Sequence, residues 1–474
     1  MTAIEVNNYQ VSYNEGAEPI LQDCSLTLDY GEFVLLSGLS GSGKSTLLSS
    51  INGIIPGAVF GIQQGDIMVD GESIRGKKIS EIARKVGSVL QNADSQIVHV
   101  RVEDEIAFGC ENRNFPREEI RTRVEESCRM MQIDKDWATQ PLSGGQKQRL
   151  ITASTLAMGQ RILVFDEPLA NLDAEGAHML LGLVRQLAKE QHYAVLFVEH
   201  RLDVVLPYVD RVLWMEDGRI REIPKNEQKI MQGRGRLEDT GFIEFDANPK
   251  PCLQAEHISF TAGGREILKD ISFTLNQGER MIILGDNGCG KTTLLKILAR
   301  LLKPTGGSVQ QYLDPSIGKK ASKKWFRQAG YVYQNPNYQL FMPQVESEIG
   351  YQSESKENTE AILQEFDLQS LAAFHPQSLS EGQKRRVSIA AIAAAHPKLL
   401  FLDEPTVGQD FNNLKRMVET VNEAHRTRGM TMITVTHDVR CAAALADKVI
   451  WIRGGVVYRE GGKEVIAEYE AQYT

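Results

Sequence analysis

The sequence predicts an α/β protein made of two copies of one domain. Three observations predict it. Short apolar, β-branched runs such as FVLLSG, ILVFDE and AVLFVEH alternate with helical stretches. Landmarks of the first half recur in order in the second, and at 474 residues the chain is longer than one hydrophobic core usually serves. That alternation indicates a largely parallel sheet, with its chemistry at the carboxyl ends of the strands.

The repeat sets the domain boundaries. Ser12-Tyr13 matches Ser259-Phe260, Ile20-Leu21 matches Ile267-Leu268, Gly31-Glu32 matches Gly278-Glu279 and Lys44 matches Lys291, each 247 residues later. From Gln91 to Gln334 the offset is 243, and from Asp166 to Asp403 and His200 to His437 it is 237. The second copy is therefore shorter by ten residues, all between its phosphate loop and Asp403, and surface loops rather than the sheet are the expected place for the loss. Residues 225–250 are polar, contain glycine and lie beside Pro249 and Pro251. They read as a linker between domains at 1–224 and 251–474.

Composition narrows the function classes. The chain is 42% hydrophobic and 24% charged, and its most apolar stretch, Val387 to Ala395, is too short to span a bilayer and reads as a buried helix. The start, MTAIEVNNYQ, lacks a basic segment and an apolar core, so no signal peptide is expected and the protein should stay in the cytoplasm. Six scattered cysteines without a CxxC pair argue against zinc, iron-sulfur or disulfide frameworks. The net charge of -9 disfavours a general nucleic-acid binder.

Two segments carry phosphate chemistry. Gly38-Leu-Ser-Gly41-Ser-Gly43-Lys44-Ser45 and Gly285-Asp-Asn-Gly288-Cys-Gly290-Lys291-Thr292 both fit GxxxxGK[ST], each between an apolar strand and a helical run, with Thr46 and Thr293 following. Glycines let backbone N–H groups curl around phosphate oxygens at a helix N-terminus, where the dipole favours an anion. Lys44 and Lys291 would neutralise the β- and γ-phosphates of a bound nucleotide, and Ser45 and Thr292 would offer hydroxyls to Mg2+. The loop alone indicates nucleotide binding, which kinases, GTPases and many ATPases share.

Further along each half come Leu142-Ser143-Gly-Gly145-Gln146 and Leu379-Ser380-Glu381-Gly382-Gln383, then apolar strands ending in Asp166-Glu167-Pro and Asp403-Glu404-Pro. The first carboxylate of each pair suits magnesium coordination and the second is placed to polarise an attacking water. This ordered set resembles the ATP-binding-cassette ATPases over essentially the whole chain, twice. The resemblance implies in each half a parallel sheet core, an antiparallel β subdomain and a helical subdomain. It also implies roles: His200 and His437 as switch histidines at the γ-phosphate, Gln91 and Gln334 as glutamines that ligate magnesium and sense the γ-phosphate, Tyr13 and Phe260 as adenine-stacking aromatics, and Asp173 and Asp410 as carboxylates that reach the partner site. Head-to-tail pairing in this family implies two composite ATP sites, Lys44, Asp166, Glu167 and His200 with Ser380 and Gly382, and Lys291, Asp403, Glu404 and His437 with Ser143 and Gly145.

One departure is Glu381, where the first half has Gly144; facing solvent it would matter little, whereas facing the γ-phosphate it would slow one site. The segments Gln91-Asn-Ala-Asp-Ser-Gln96-Ile and Gln334-Asn-Pro-Asn-Tyr-Gln339-Leu, followed by VEDEI and VESEI, look like the ATPases of energy-coupling-factor importers of vitamins, their precursors or cobalt and nickel. That resemblance implies a transmembrane coupling subunit, a small substrate-capture membrane protein and a place on the cytoplasmic face of the membrane. Asp94, Glu103, Glu105, Glu346 and Glu348 could receive arginines of the coupling subunit. The competing readings are a soluble tandem ATPase of translation or DNA repair and the motor of another transporter class.

Overall fold

A computed structural model of the chain describes residues 1–16, 18–39, 41–170, 172–228, 237, 250–317, 322–406 and 411–472. The chain divides into two compact units, Met1–Gly235 and Arg236–Thr474. Most of the expected linker lies outside the described residues.

Among its described residues unit one holds ten strands: β1 (Thr2–Ser12), β2 (Leu21–Asp29), β3 (Phe33–Gly38), β4 (Ile62–Val69), β5 (Glu72–Ser73), β6 (Val86–Val89), β7 (Ile162–Asp166), β8 (Ala194–Val198), β9 (Arg211–Glu216) and β10 (Arg219–Glu222). They form an antiparallel sheet in the order β2-β1-β4-β5 and a six-stranded sheet in the order β10-β9-β3-β8-β7-β6. The larger sheet is parallel except at its β10 edge. Every residue of β3 and β8 is buried, as a sheet covered on both faces requires. Alternate residues of β3 supply two cores. Phe33 and Leu35 join one with the helices, and Val34 and Leu36 join another beneath the antiparallel sheet. Each such side chain contributes about 1.5–3 kcal/mol on burial.

The helices that frame the site are α1 (Lys44–Ile51), α2 (Val102–Asn112), α3 (Arg117–Met130), α4 (Gly144–Ala157) and α5 (Ala174–Gln191).

Unit two repeats the plan with β11 (Pro251–Ala262), β12 (Arg265–Asn276), β13 (Arg280–Leu284), β14 (Gly306–Gln311), β15 (Ala329–Val332), β16 (Leu399–Asp403), β17 (Thr431–Val435), β18 (Lys448–Arg453) and β19 (Val456–Gly461). The orders are β12-β11-β14 and β15-β16-β17-β13-β18-β19. Its helices include α6 (Lys291–Leu298), α7 (Val345–Gly350), α8 (Lys356–Glu365) and α9 (Glu381–Ala393), the last carrying the expected buried stretch from Val387. The shortening of the second copy does not fall in loops alone. α7 and α8 have 6 and 10 residues against 11 and 14 for α2 and α3, while both core sheets keep six strands. The missing turn of α7 is the one that buries Cys110 in α2. No helix among the described residues is long and apolar enough to cross a membrane.

Candidate active site

In both units the phosphate loop connects a buried strand to a helix whose first residue is the lysine, Lys44 or Lys291. Gly43 and Gly290, at φ 106° and 103°, lie in the left-handed region that favours glycine. A Cβ on Gly43 would lie 2.7 Å from Leu21 Cδ2, and one on Gly290 2.6 Å from Leu268 Cδ2. Around Gly41 and Gly288 there is open space. The Lys44 Nζ donates to the carbonyls of Gly38 (3.0 Å) and Leu39 (2.7 Å), and the Lys291 Nζ to those of Gly285 (2.8 Å) and Asp286 (2.9 Å). Both ammonium groups are thus held at the loop by neutral carbonyls, in an open cradle that fits a phosphate chain.

The strand-end carboxylates meet the histidines named from the sequence. In unit one His200 Nε2 is 2.9 Å from Glu167 Oε1, and Gln91 Nε2 donates to Glu167 Oε2 at 3.0 Å. In unit two His437 Nδ1 is 2.9 Å from Glu404 Oε2, and Lys291 Nζ is 3.9 Å from Glu404 Oε1. Burial alone would push the Glu404 carboxyl up, but His437 and Lys291 hold it below the usual carboxylate range. Glu167 and Glu404 both have φ 46°, a left-handed conformation that non-glycine residues seldom adopt and that clusters at functional sites. Burial and the neighbouring Glu167 charge push Asp166 up to about 6. Burial also raises Asp403, against hydrogen bonds from Thr292 and Tyr331 that lower it.

Thr292 Oγ1 donates to Asp403 Oδ1 at 2.8 Å, whereas Ser45 is exposed. A hydroxyl and a carboxylate are the hard oxygen donors that Mg2+ takes alongside phosphate and water. Among the described residues no group of three or more His, Cys, Asp or Glu could hold a metal by itself. Tyr13 is half-buried with its hydroxyl 3.2 Å from Thr46 Oγ1, and Phe260 packs partly buried on the core of unit two. Thr293 is half-buried, and Gln334 is exposed.

The signature residues begin helices. Ser143 Oγ accepts from Gln146 N (3.3 Å) while Gln146 Oε1 accepts from Ser143 N (2.8 Å), and Ser380 and Gln383 do the same at 3.3 and 3.0 Å. These reciprocal caps present Gly145 and Gly382 in the first turns of α4 and α9. Glu381 is 60% exposed and pairs with Lys384 at 2.9 Å. Asp173 caps α5 by accepting from Gly176 N at 2.9 Å; Asp410 lies outside the described residues.

Two of the carboxylates expected to receive arginines do something else. Glu105 and Glu348 are 5% and 6% exposed, and one oxygen of each accepts two backbone N–H groups. Val98 and His99 donate to Glu105 Oε2 at 2.9 and 2.7 Å, and Phe341 and Met342 to Glu348 Oε2 at 2.7 Å each. They clamp their own preceding loop, so docking to a partner by these two is corrected to a structural role. Glu103 and Glu346 are more open, and Asp94 is 67% exposed and bonded to Lys147. Gln96 and Gln339 likewise pin the loop after the strand, accepting from Leu90 N (2.8 Å) and Tyr333 N (2.9 Å).

Sequence reasoning missed three residues. Gln148 donates to the Gln91 carbonyl at 3.2 Å. Its counterpart Arg385 donates to the carbonyls of Gln334 and Glu404, both at 2.8 Å, tying the signature helix to the glutamine loop. Tyr331 donates to Asp403 Oδ2 at 2.8 Å. A polar head inside an apolar helix face or strand needs a partner, which was the available signal.

The family model described as ABC transporter matches residues 21–170 and 268–407, together more than half of the chain. An ABC transporter ATP-binding protein of Methanosarcina mazei, provisionally so named, is 33% identical over 97% of this chain and 88% of its own length. A Bacillus subtilis protein with the provisional name HMP/thiamine import ATP-binding protein YkoD is 33% identical over 94% of this chain and 89% of its own. Among solved structures, a model of ribosome-bound archaeal Pelota and ABCE1 superposes with TM-score 0.71 over 98% of this chain and 80% of that one, at 21% identity, a likeness of fold alone. With the family's domain present twice in one chain, this protein belongs to the ATP-binding-cassette transporter family and is a tandem ATPase.

Proposed function

We propose that the chain is the ATP-hydrolysing motor of a membrane importer of the energy-coupling-factor type, driving uptake of a vitamin, a vitamin precursor or a metal ion. The observation that carries this reading is the likeness, over 94% of the chain, to a relative named for HMP/thiamine import. The paired QNxxxQ[IL] segments support it.

In each unit the phosphate loop, with Lys44 or Lys291, binds the triphosphate. Ser45, Asp166 and Gln91, and Thr292, Asp403 and Gln334, would hold Mg2+, which supplies charge neutralisation at the phosphates. Glu167 and Glu404 take the proton of the attacking water, and His200 and His437 keep each carboxylate oriented. Tyr13 and Phe260 stack on adenine, and the signature residues of each unit complete the site of the other, with Asp173 and Asp410 linking the two. Domain limits of 1–224 and 251–474 around a 225–250 linker belong to the same proposal. A transmembrane coupling subunit and a small substrate-capture protein are the partners, met at the cytoplasmic face.

Purification of the tagged chain from native membranes tests this. Small integral membrane proteins should accompany it; ribosomes or DNA in their place would overturn the reading.

A further inference from the structure

The two aspartates read as metal-holding are supported differently. Asp403 has both oxygens engaged, Oδ1 by the Thr292 hydroxyl and Oδ2 by the Tyr331 hydroxyl, each at 2.8 Å. Tyr331 is 7% exposed, and its ring is fixed edge-on to Tyr333 and beside Phe401, with centroids 4.8 and 6.4 Å away. The hydroxyl therefore has little freedom to swing off the carboxylate. Unit one is built otherwise. The residue three before Gln91, as Tyr331 is three before Gln334, is Ser88, whose hydroxyl donates to Asn52 Oδ1 at 2.9 Å. Among the described residues no side-chain hydroxyl donates to Asp166. At the position of Asn52 unit two has Ala299, 247 residues later, so the serine arrangement has no counterpart there.

We propose that Tyr331 is a positioning residue that holds Asp403 for the metal ion, and that the two ATP sites consequently differ in metal affinity, with the hydroxyl of Tyr331 strengthening only the second. This rests on Asp403 being a metal-holding carboxylate. The division of labour between its oxygens gives the physical reason. Oδ1 points to Thr292, the other oxygen donor expected at the metal, while Oδ2 is turned into the protein and held there. An outer hydrogen bond of this kind orients a ligand and spares it the cost of ordering when the ion arrives, and its removal typically lowers metal affinity by about 10-fold or more.

The test uses the full chain with a non-hydrolysable ATP analogue and Mn2+, following free Mn2+ by electron paramagnetic resonance. Lys44→Ala removes the first site and Lys291→Ala the second, so each can be read alone. Tyr331→Phe keeps the ring and its packing and deletes only the hydroxyl. In the Lys44→Ala chain it should weaken Mn2+ binding about 10-fold. In the Lys291→Ala chain it should change nothing, and analogue binding in EDTA should be unaffected in both. Unchanged Mn2+ affinity in the Lys44→Ala chain, or an equal loss of analogue binding in EDTA, overturns the proposal. Asp403→Asn separates the two layers. If it abolishes tight Mn2+ binding while Tyr331→Phe does not, only the tyrosine's role falls. If it leaves Mn2+ binding intact, the metal reading of Asp403 falls and the tyrosine's role with it.

Discussion

Replacing Glu105 by alanine should destabilise unit one by about 3 kcal/mol, and replacing it by glutamine by only about 1 kcal/mol. The side chain is 5% exposed, and a single oxygen, Oε2, accepts from Val98 N at 2.9 Å and His99 N at 2.7 Å. Each bond to a charged acceptor contributes roughly 1.5–3 kcal/mol, and relief of carboxylate desolvation in the alanine variant offsets part of the sum. Glutamine can place its carbonyl oxygen where Oε2 sits and keep both bonds at neutral strength. For a unit of this size, 1 kcal/mol shifts Tm by about 2–4 °C. Thermal unfolding of the full chain should therefore show one transition lowered by about 6–12 °C for Glu105→Ala and by about 2–4 °C for Glu105→Gln. Glu348→Ala should lower the other transition, since Phe341 and Met342 are held in the same way. If Glu105→Gln melts like the parent yet no longer joins membrane partners, the charge itself is what matters, and the loop-clamp account is refuted.

Three further outcomes follow from the sites. Asp166 sits at about 6 against an ordinary 3.8, so its ionised form is penalised in the fold: the penalty is absent below 3.8, complete above 6, and about 3 kcal/mol in size. Metal-free Asp166→Asn should consequently melt above the parent at pH 8, with the gap closing as the pH falls from 6 towards 4; a gap independent of pH contradicts this. Glu167→Gln and Glu404→Gln together should lower ATP hydrolysis by about 10²–10⁴-fold while ATP binding, followed by calorimetry, persists. Glu381→Gly should change the hydrolysis rate less than about twofold, because the carboxylate is 60% exposed and already paired with Lys384; a larger gain would mean that it acts on the phosphate.

What could be read from the sequence was whatever short-range spacing encodes. Glycines at fixed intervals before a lysine identify the phosphate loops, and an apolar strand ending in Asp-Glu places Asp166 and Glu167 without knowledge of the sheet order. The runs VEDEI and VESEI were misread in part because a charge in a sequence does not reveal which side of a helix it occupies. Glu105 and Glu348 lie on the buried side of α2 and α7, bonded six and seven residues back, while Glu103 and Glu346 lie on the open side. Tyr331 meets Asp403 across 72 residues, and Arg385 meets Gln334 across 51. Such contacts exist only once β15, β16 and α9 are assembled, so a polar head in an apolar strand or helix face signals that a partner is needed but not which one. The left-handed backbone at Glu167 and Glu404 is equally a product of the assembled strand end.

Native mass spectrometry of the full chain carrying Glu167→Gln and Glu404→Gln, in ATP and Mg2+, puts the claim of two ATP-binding units in one chain to its most direct test. Two bound nucleotides per chain are predicted, falling to one when Lys44→Ala or Lys291→Ala is added. A single nucleotide in the starting variant, or two that survive either lysine substitution, would contradict it.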